Sequence, residues 1–463
     1  MYRLTISTRE TDIQAYPFGL ASAVHFQLEK DGETTFLNHH YGILFAEGDI
    51  SKENTIIPLG IENPTIFHAK DGEIGIAGKR ILDFGRCHEA DGNMLWAWKT
   101  KDLIHFETLG LVDASYVLDR EIGKTMEVDD ILAHAAIHFW NPPEDEDNPT
   151  VTKYSFPLAK GYGDPVIFKW CEKWYYVSTN DNLDDIGIYA READSVMGLF
   201  EPNIMEHLIL PYDETRELIQ TFWAPEFHVI GGKLYLLFAV SGKTWGPQCH
   251  LMKLKEGGSI IDPESWEDPV RVVRMDGSPL AKNAITLDMT YLKSSKGSYM
   301  VWSYRENIGT PLDTGSMLYI AAIDEKEPWK LISEPLLLSR PLYGWENVEG
   351  TINNEGPNAF VRNDRIYLTY SGGAANGYTY AVGLLSADLD ADLLDMRSWA
   401  KYHTPILSYY LVDEFGPGHN SFFEDEYGNL MIAYHGETEI HEHLRCNMIR
   451  RVCFKEDGTP YIV

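Results

Sequence analysis

Five times along this chain, a short apolar run, a polar turn and a second apolar-aromatic run follow one another. The runs are rich in Val, Ile, Leu, Tyr and Phe, which favour strands, and the turns hold Gly, Asn, Asp, Lys and Ser, which favour hairpins. Each pair of runs therefore predicts a β-hairpin. The pairs are PVIFKW and WYYVST, FHVI and LYLLFAV, MTYL and SYMVWSY, NAFV and IYLTYS, and SFF and LMIAYH.

A polar residue stands just ahead of each hairpin, and these five anchors recur at nearly constant spacing. They are Asp164, Glu226, Asp288, Glu355 and His419, at steps of 62, 62, 67 and 64 residues. Each repeat has room for two further strands after its hairpin, and four antiparallel strands make one blade of a β-propeller. The pattern predicts an all-β fold with a five-bladed propeller, in which the anchors gather at one end of the central channel.

The first third of the chain carries the pattern only once, and imperfectly. Asn63 stands where an acid is expected, and the step of 101 residues to Asp164 breaks the spacing. We expect residues 1–150 to form a β-rich accessory domain of blade-like ancestry and residues 151–463 to form the propeller. The acidic, proline-bearing stretch 141–147 is the predicted exposed connection. Residues 388–399 are the best short helix or loop candidate.

Three of the anchors are carboxylates that suit acid-base chemistry. Hydrolysis of a glycosidic bond needs an acid on the leaving oxygen and a base or nucleophile opposite it. A third carboxylate nearby raises the pKa of the acid and keeps it protonated. Any one of Asp164, Asp288 and Glu355 alone is more often a turn residue, but equivalent places in successive repeats favour catalysis. The copy at Asn63 indicates that the repeat itself needs no acid.

Charge and cysteine content narrow the function further. The net charge is −31, which opposes binding to nucleic acid and to anionic membranes and is compatible with a neutral substrate. Its simplest consequence is solubility. The five cysteines are an odd number without a CxxC pair, so neither a disulfide framework nor a zinc site is expected. With no apolar run of signal-peptide or membrane length, we expect a cytoplasmic protein. A chain whose signal peptide had been removed would look the same and would be secreted.

The anchors and their neighbours resemble the ordered motifs of glycoside hydrolase family 43, over about Phe156 to Val463. The resemblance implies a five-bladed propeller and hydrolysis with inversion of the anomeric configuration. It implies that Asp164 is the general base, that Asp288 tunes and orients the acid, and that Glu355 is the general acid. An inverting site places base and acid carboxyls about 6.5–9.5 Å apart. The motifs are Gly163-Asp164-Pro165, Trp223-Ala224-Pro225-Glu226, Leu287-Asp288-Met289, Asn354-Glu355-Gly356-Pro357 and Gly418-His419-Asn420.

The resemblance also suggests a metal near His419. In similar enzymes this histidine lies on the propeller axis and often contacts a hydrated ion, frequently calcium. The alternative is a core histidine that is hydrogen-bonded to its neighbours. Calcium prefers oxygen ligands, so a lone imidazole would give a water-rich, weak site. The ion would have a structural or electrostatic role, and the chemistry itself requires no cofactor.

Three further residues are candidates for substrate binding. Glu226 resembles the acid of the second-blade motif, which supports the site without doing chemistry. Trp223 either stacks on a sugar face or fills the core between blades. Arg445 resembles a late arginine of the family that binds sugar hydroxyls, although Arg450 and Arg451 lie close in sequence and leave that assignment open.

The favoured function is an exo-acting α-L-arabinofuranosidase, with β-xylosidase and endo-arabinanase as alternatives. The expected partner is an arabinose- or xylose-containing oligosaccharide, and neither nucleic acid nor membrane is expected. An accessory domain that walls off one side of the site would favour exo action. A non-catalytic carbohydrate-binding propeller is disfavoured because all three carboxylates are present, and a sugar phosphorylase because no basic cluster surrounds Glu355. The sequence leaves the exact sugar, the linkage and the oligomeric state open.

Overall fold

The computed structural model describes residues 1–12, 15–69, 72–118, 122–143, 152–348 and 352–463. Residues 144–147 of the predicted connection lie outside these ranges. The chain divides into two compact units. Unit 1 comprises residues 1–147, 342–351 and 454–459, and unit 2 comprises residues 148–341, 352–453 and 460–463. A single division near residue 150 therefore does not anticipate the two later segments that belong to unit 1.

Unit 1 is built mainly from two antiparallel sheets. The first has the strand order β12-β1-β2-β3, and the second has the order β10-β9-β7-β6-β11, with β8 added to β7 and with β4 and β5 paired separately. Its strands are β1 (Tyr2–Ser7), β2 (His25–Lys30), β3 (Glu33–Phe36), β4 (Asp49–Ile50), β5 (Ile56–Ile57), β6 (Gly60–His68), β7 (Ile74–Asp83), β8 (Arg86–Cys87), β9 (Met94–Thr100), β10 (Phe106–Asp113), β11 (Ile122–Gly123) and β12 (Thr125–Val128).

Unit 1 also contains an eleven-residue helix that the strand pattern did not predict. Helix α3 (Asp130–Trp140) begins at Asp129, whose side chain accepts the main-chain N–H of Leu132 at 2.8 Å. Its apolar face packs against the sheets in the core of the unit. The other helices are short: α1 (Phe18–Ala21) and α2 (Ser115–Leu118), with 3-10 turns at Leu37–His40, Glu89–Asp91 and Gly344–Glu346.

In unit 1, the buried Arg80 forms ion pairs with two carboxylates. Arg80 binds both oxygens of Asp91, at 2.8 and 2.6 Å, and also donates to Asp49 at 2.7 Å. Asp49, His88 and Asp91 offer ligand atoms that are close enough together for a metal ion. Because the Arg80 guanidinium already pairs with both carboxylates, the cluster is satisfied as an ion-pair network.

Unit 2 consists of five consecutive four-stranded antiparallel sheets, as the sequence predicts. Each sheet is one blade. The strands are β13 (Tyr162–Trp170), β14 (Lys173–Asn180), β15 (Ile188–Ala193) and β16 (His207–Leu210) in blade 1; β17 (Gln220–Ile230), β18 (Lys233–Ser241), β19 (Gln248–Lys253) and β20 (Val270–Arg271) in blade 2; β21 (Ala284–Lys293), β22 (Ser298–Glu306), β23 (Met317–Ile323) and β24 (Leu336–Ser339) in blade 3; β25 (Asn354–Arg362), β26 (Arg365–Gly372), β27 (Ala381–Asp388) and β28 (Ala400–Lys401) in blade 4; and β29 (Phe415–Glu424), β30 (Leu430–Glu437), β31 (Cys446–Phe454) and β32 (Pro460–Ile462) in blade 5.

The first strands of the blades form a closed ring. β13 contacts β17, β17 contacts β21, β21 contacts β25, β25 contacts β29, and β29 contacts β13 again. The all-β fold and the five-bladed propeller are therefore confirmed. The helix candidate at 388–399 contains only the 3-10 turn Met396–Ser398, and further 3-10 turns of this unit are Asp181–Leu183, Met197–Phe200, Glu214–Arg216 and Pro263–Ser265. In the described residues, no helix is long and apolar enough to cross a membrane.

A β-bulge near the start of each first strand carries the repeat position. Between Gly163 and Val166, β13 has one residue more than its partner strand, and the other four first strands show the same shift. One residue in each of these bulges has a left-handed backbone. These residues are Asp164 (φ 55°), Ala224 (47°), Asp288 (53°), Gly356 (56°) and His419 (45°). Strand β6 of unit 1 has the same bulge, with Asn63 at 49°.

The bulges correct one expectation. Asp164, Asp288 and His419 do occupy equivalent positions, but Glu355 lies one residue before the left-handed position and Glu226 lies two residues after it. In blade 4 the equivalent residue is Gly356. A Cβ there would lie 2.9 Å from Cγ of His419, so glycine makes room for the imidazole.

Candidate active site

Hydrogen bonds between neighbouring blades hold the bulges at the centre of the propeller. The main-chain N–H of Ala224 donates to Thr179 at 2.9 Å, and that of His419 donates to Ser371 at 2.8 Å. The N–H of Asp164 donates to Nδ1 of His435 at 3.1 Å and joins the first blade to the last. These bonds fix left-handed residues that would otherwise be costly for L-amino acids.

Asp164 is buried among cationic and polar groups. Arg445 Nη1 donates to Oδ1 at 3.0 Å, and Nδ1 of His419 lies 3.1 Å from the same oxygen. The hydroxyl of Thr179 donates to Oδ2. Burial by itself would raise the pKa of Asp164, but the charges of Arg445 and His419 hold it well below its ordinary value. Asp164 is therefore an ionised carboxylate at neutral pH.

His435 supports Asp164 as a neutral imidazole. Its Nδ1 accepts the N–H of Asp164, so that nitrogen carries the lone pair. Its Nε2 lies 2.9 Å from the carbonyl oxygen of Ala375, which requires the proton on Nε2. Burial lowers the pKa of His435, in keeping with this tautomer. His435 is thus an acceptor that holds the bulge.

Asp288 and Glu355 come from adjacent blades and affect each other's charge. Asp288 Oδ2 accepts from the hydroxyl of Ser303 at 3.0 Å and from the main-chain N–H of Gly356 at 3.1 Å. Glu355 Oε1 accepts from the hydroxyl of Tyr380 at 3.0 Å. Burial, and next the charge of Asp288, raise the pKa of Glu355 to about 7.

Glu355 keeps its proton more readily than Asp288 does. Burial raises the pKa of Asp288 as well, but the nearby His419 opposes this shift and two donors solvate its carboxylate. The pair therefore ionises first at Asp288, and the negative charge there favours the neutral form of Glu355. A neutral carboxylic acid and an ionised carboxylate, Asp164, thus share one end of the channel.

His419 lies among the carboxylates that the sequence brings together. Burial lowers the pKa of His419, but the charges of Asp164 and Asp288, followed by Glu355 and Glu226, raise it overall. The surrounding carboxylates therefore favour the protonated form of the imidazole. The 3.1 Å contact of Nδ1 with Asp164 is compatible with the hydrogen-bonded alternative, and the metal near His419 stays a prediction.

The carboxylate oxygens of Glu226, near His419, already have hydrogen-bond partners. Glu226 Oε2 pairs with Nε2 of His228 at 2.6 Å, and its Oε1 accepts from Asn358 at 3.2 Å. In the described parts of the chain, His419 belongs to no group of three ligand atoms close enough together to hold an ion. A protonated imidazole is also a poor ligand. The calcium ion stays a prediction, and no step below depends on it.

The side chain of Arg445 is largely buried and pairs with two carboxylates. Its Nε donates to Asp181 Oδ2 at 2.9 Å and its Nη2 to Asp181 Oδ1 at 2.5 Å, while Nη1 donates to Asp164. The side chain is 15% exposed. Sugar binding by Arg445 stays a prediction, and these contacts give the guanidinium a direct role at Asp164.

Trp223 is half-buried, and its orientation is fixed by a carboxylate. Its Nε1 donates to Asp185 Oδ2 at 2.8 Å. Asp185 follows Asp184, and both have left-handed backbones, with φ of 57° and 52°. Burial raises the pKa of Asp185, although the bond from Trp223 opposes this shift. The platform role of Trp223 stays a prediction.

Sequence reasoning missed the polar residues of the second strands. Thr179, Ser303, Ser371 and His435 each lie opposite the residue that precedes the left-handed position of their blade. They recur 15 or 16 residues after that position, as polar residues inside otherwise apolar strands. This spacing was the signal that could have found them. Tyr380, Asp181 and Asp185 lie outside any repeat position and had no such signal.

A ring of five blades with the buried carboxyl groups of Asp164, Asp288 and Glu355 at its centre is an architecture that suits a propeller glycosidase. The sequence model of Glycosyl hydrolases family 43 matches residues 155–460. The chain therefore belongs to this family, as the resemblance indicated.

Individual relatives give the same result. An extracellular exo-α-(1→5)-L-arabinofuranosidase of Streptomyces avermitilis is 29% identical over 322 residues, which is 68% of this chain and 63% of that protein. One of Streptomyces chartreusis is 31% identical over 290 residues, 62% of this chain and 83% of that protein. The crystal structure of an α-L-arabinofuranosidase from Lactobacillus brevis is 30% identical, with a TM-score of 0.58, and the match covers 66% of this chain and 95% of that one. The chain thus spans less than two thirds of the Streptomyces avermitilis protein.

The comparisons correct the expected location. Both Streptomyces relatives are named extracellular enzymes, which points to a secreted protein. The prediction of a cytoplasmic protein is therefore wrong. It rested on free cysteines and on the lack of a visible signal peptide, and neither feature decides where a chain acts.

Proposed function

We propose that this protein is an inverting, exo-acting α-L-arabinofuranosidase. The observation that carries the proposal is the contrast between two buried carboxyl groups in one channel: Asp164, whose pKa is held well below its ordinary value, and Glu355, whose pKa is raised to about 7. Acid and base assignments follow from such opposed environments. The arabinofuranosidase names of the relatives support the choice of sugar, and the exo in two of those names supports release from a chain end.

Glu355 is the general acid in this proposal. Because its pKa is about 7, Glu355 is largely protonated in weakly acidic solution and still partly protonated in neutral solution, so it can give its proton to the leaving oxygen. The hydroxyl of Tyr380 donates to Oε1 and so leaves Oε2 to carry the proton. Asp288 raises the pKa of Glu355 through its charge, which is the tuning role proposed for it.

Asp164 is the general base, which accepts a proton from the attacking water. Its two oxygens are held by Arg445 and Thr179, so the carboxylate has a fixed orientation. A strongly depressed pKa makes Asp164 a weaker base, but it guarantees the ionised form throughout the working pH range. Arg445 and His419 provide the positive charge that balances this buried carboxylate and Asp288.

The substrate in this proposal is an arabinose-containing oligosaccharide or polysaccharide. Trp223, with its indole held by Asp185, offers a flat face for a sugar ring next to the acid-base pair. Both carboxylate oxygens of Glu226 already have partners, His228 and Asn358. We assign it an electrostatic role at His419 in place of direct contact with sugar.

A panel of aryl glycosides tests the proposal. The wild-type protein should hydrolyse 4-nitrophenyl α-L-arabinofuranoside faster than the corresponding β-D-xyloside and β-D-galactoside. D164N should lower kcat/KM on the arabinofuranoside by about a hundredfold or more, and E355Q should show a loss of that size on an arabino-oligosaccharide. Faster hydrolysis of the xyloside would contradict the sugar assignment, and hydrolysis of none of the three would contradict the enzyme.

Leaving-group dependence separates the two roles. E355Q should lose far more activity on an arabino-oligosaccharide than on the 4-nitrophenyl glycoside, because nitrophenolate leaves without a proton. D164N should lose activity on both substrates to a similar degree. D395N, in an exposed ion pair with Arg397 on the connection between the third and fourth strands of blade 4, is the matched control and should behave like the wild type. The opposite pattern for E355Q and D164N would exchange their roles.

A further inference from the structure

Hydrogen bonds to neighbouring segments hold the turn between the second and third strands of blade 1. We call residues 181–185 the acidic turn. Asn182 donates to the carbonyl oxygens of Lys160 and Gly161, at 3.0 and 2.9 Å. From blade 2, the side-chain amide of Gln220 donates to the carbonyl oxygen of Asp184 at 2.7 Å. The main-chain N–H of Phe222 donates to the carbonyl oxygen of Asp185 at 3.0 Å.

The acidic turn keeps two consecutive non-glycine residues in a left-handed conformation. Asp184 and Asp185 have φ values of 52° and 57°. A left-handed backbone is unfavourable for a residue with a side chain, so the conformation persists only where the surroundings determine it. The hydrogen bonds from blade 2 and from residues 160–161 supply that constraint. The turn is therefore a rigid support and not a freely moving loop.

Two carboxylates of this turn, Asp181 and Asp185, hold the side chains of Arg445 and Trp223. Asp181 binds Nε and Nη2 of Arg445 in a two-point contact, which fixes the plane of the guanidinium. The remaining Nη1 is thereby aimed at Asp164. At the other end of the turn, Asp185 accepts the indole N–H of Trp223.

We infer that the acidic turn is a positioning element with two separate outputs: Asp181 acts through Arg445 on the general base Asp164, and Asp185 acts through Trp223 on sugar binding. The inference rests on the proposed function, because it takes Asp164 as the base and Trp223 as the sugar platform. Asp181 and Asp185 are positioning residues in it, and neither is required to touch the substrate.

The two outputs predict different kinetic signatures. In D181A the guanidinium is no longer held, so kcat/KM for 4-nitrophenyl α-L-arabinofuranoside should fall about tenfold to a hundredfold. Because Arg445 is a main cause of the depressed pKa of Asp164, the acidic limb of the pH profile should also move to higher pH. In D185A the indole is released, so KM should rise about tenfold while kcat changes little.

Conservative variants and a matched control separate positioning from general destabilisation. D185N keeps an oxygen that can accept the indole N–H, so it should restore most of the KM. D181N keeps one acceptor and should shift the acidic limb less than D181A, which also covers the case in which D181A folds poorly. D395A removes an equally two-pronged Asp–Arg contact at Arg397 and should leave all parameters unchanged.

A crystal structure of D181A tests the first output without any substrate. The expected result is a guanidinium of Arg445 displaced from Asp164. An unmoved guanidinium, or a D181A pH profile that superimposes on the wild type after scaling, would overturn the inference for Asp181. A D185N variant as defective as D185A would overturn it for Asp185. If the wild type hydrolyses no arabinofuranoside, the proposed function fails. The position of Arg445 in D181A still shows whether Asp181 positions the guanidinium.

Discussion

Gly163 and Arg445 lie so close together that a Cβ on Gly163 would fall 2.0 Å from Cζ of the guanidinium. The contact explains why glycine precedes Asp164 in the first motif. The absence of a side chain lets Arg445 lie flat beside the strand and reach both Asp164 and Asp181. The glycine of this motif therefore shapes the environment of Asp164, the proposed base.

Gly163→Ala should displace Arg445 and impair the base. Misplacement of a catalytic contact by about 1 Å can cost on the order of a hundredfold in rate, and we expect a loss of kcat/KM of about that size. The control is Gly297→Ala, because a Cβ there meets its nearest neighbour, the hydroxyl of Tyr299, at 3.7 Å. Equal activity of the two variants would show that Arg445 tolerates the added methyl group.

Asp288→Asn should move the alkaline limb of the pH profile. The negative charge of Asp288 raises the pKa of Glu355, so removal of that charge lowers the pKa and Glu355 loses its proton at lower pH. In the wild type, kcat/KM should decline as the pH rises through about 7, and in D288N this decline should begin at lower pH. Profiles of kcat/KM against pH for both proteins measure the shift. A limb that stays in place would remove Asp288 from the tuning role.

Glu355→Gln should change how stability depends on pH. Because the pKa of Glu355 is raised from 4.5 to about 7 on folding, its contribution is fully present below pH 4.5 and is lost as the pH rises through about 7. The loss amounts to about 3 kcal/mol at most, at roughly 1.4 kcal/mol per pKa unit. The glutamine does not titrate. The free energy of unfolding of E355Q minus that of the wild type should therefore be larger at pH 8 than at pH 5. Urea unfolding at the two pH values measures this, and a constant difference would contradict the raised pKa.

Removal of divalent metals should leave the chemistry intact. Arg445 and His419 place positive charge next to Asp164 without a metal ion, because the surrounding carboxylates raise the pKa of His419 against the effect of burial. Dialysis against EDTA should therefore leave kcat/KM and the pH profile unchanged. Loss of activity on chelation, restored by calcium and not by magnesium, would instead establish calcium as a functional part of the site.

The sequence predicted the propeller because period-two hairpins and nearly constant spacing are properties of the chain itself. It also brought Asp164, Asp288, Glu355 and His419 to one end of the channel, since repeat position determines location in a closed ring of blades. It did not predict that Glu355 stands one residue before the left-handed position. A one-residue bulge shift depends on strand pairing, which the hydrophobic pattern does not encode.

Other parts of the site could not be predicted because they come from contacts distant in sequence. Asp181 and Arg445 lie 264 residues apart, and their pairing depends on the closure of blade 5 against blade 1. The neutral tautomer of His435 follows from its contacts with Asp164 and Ala375, which only the fold brings together. Helix α3, by contrast, has an N-cap at Asp129 that can be read from the sequence, but it lies among segments with strand periodicity.

The stereochemistry of the first product shows whether Asp164 acts as a general base or as a nucleophile. Hydrolysis of 4-nitrophenyl α-L-arabinofuranoside in D₂O is followed by proton NMR before the free sugar mutarotates. With Asp164 as the base for water and Glu355 as the acid, the anomeric configuration inverts and β-L-arabinofuranose should form first. Initial release of the α anomer would mean that a carboxylate attacks the sugar directly, and it would contradict the assignment of Asp164 as a general base.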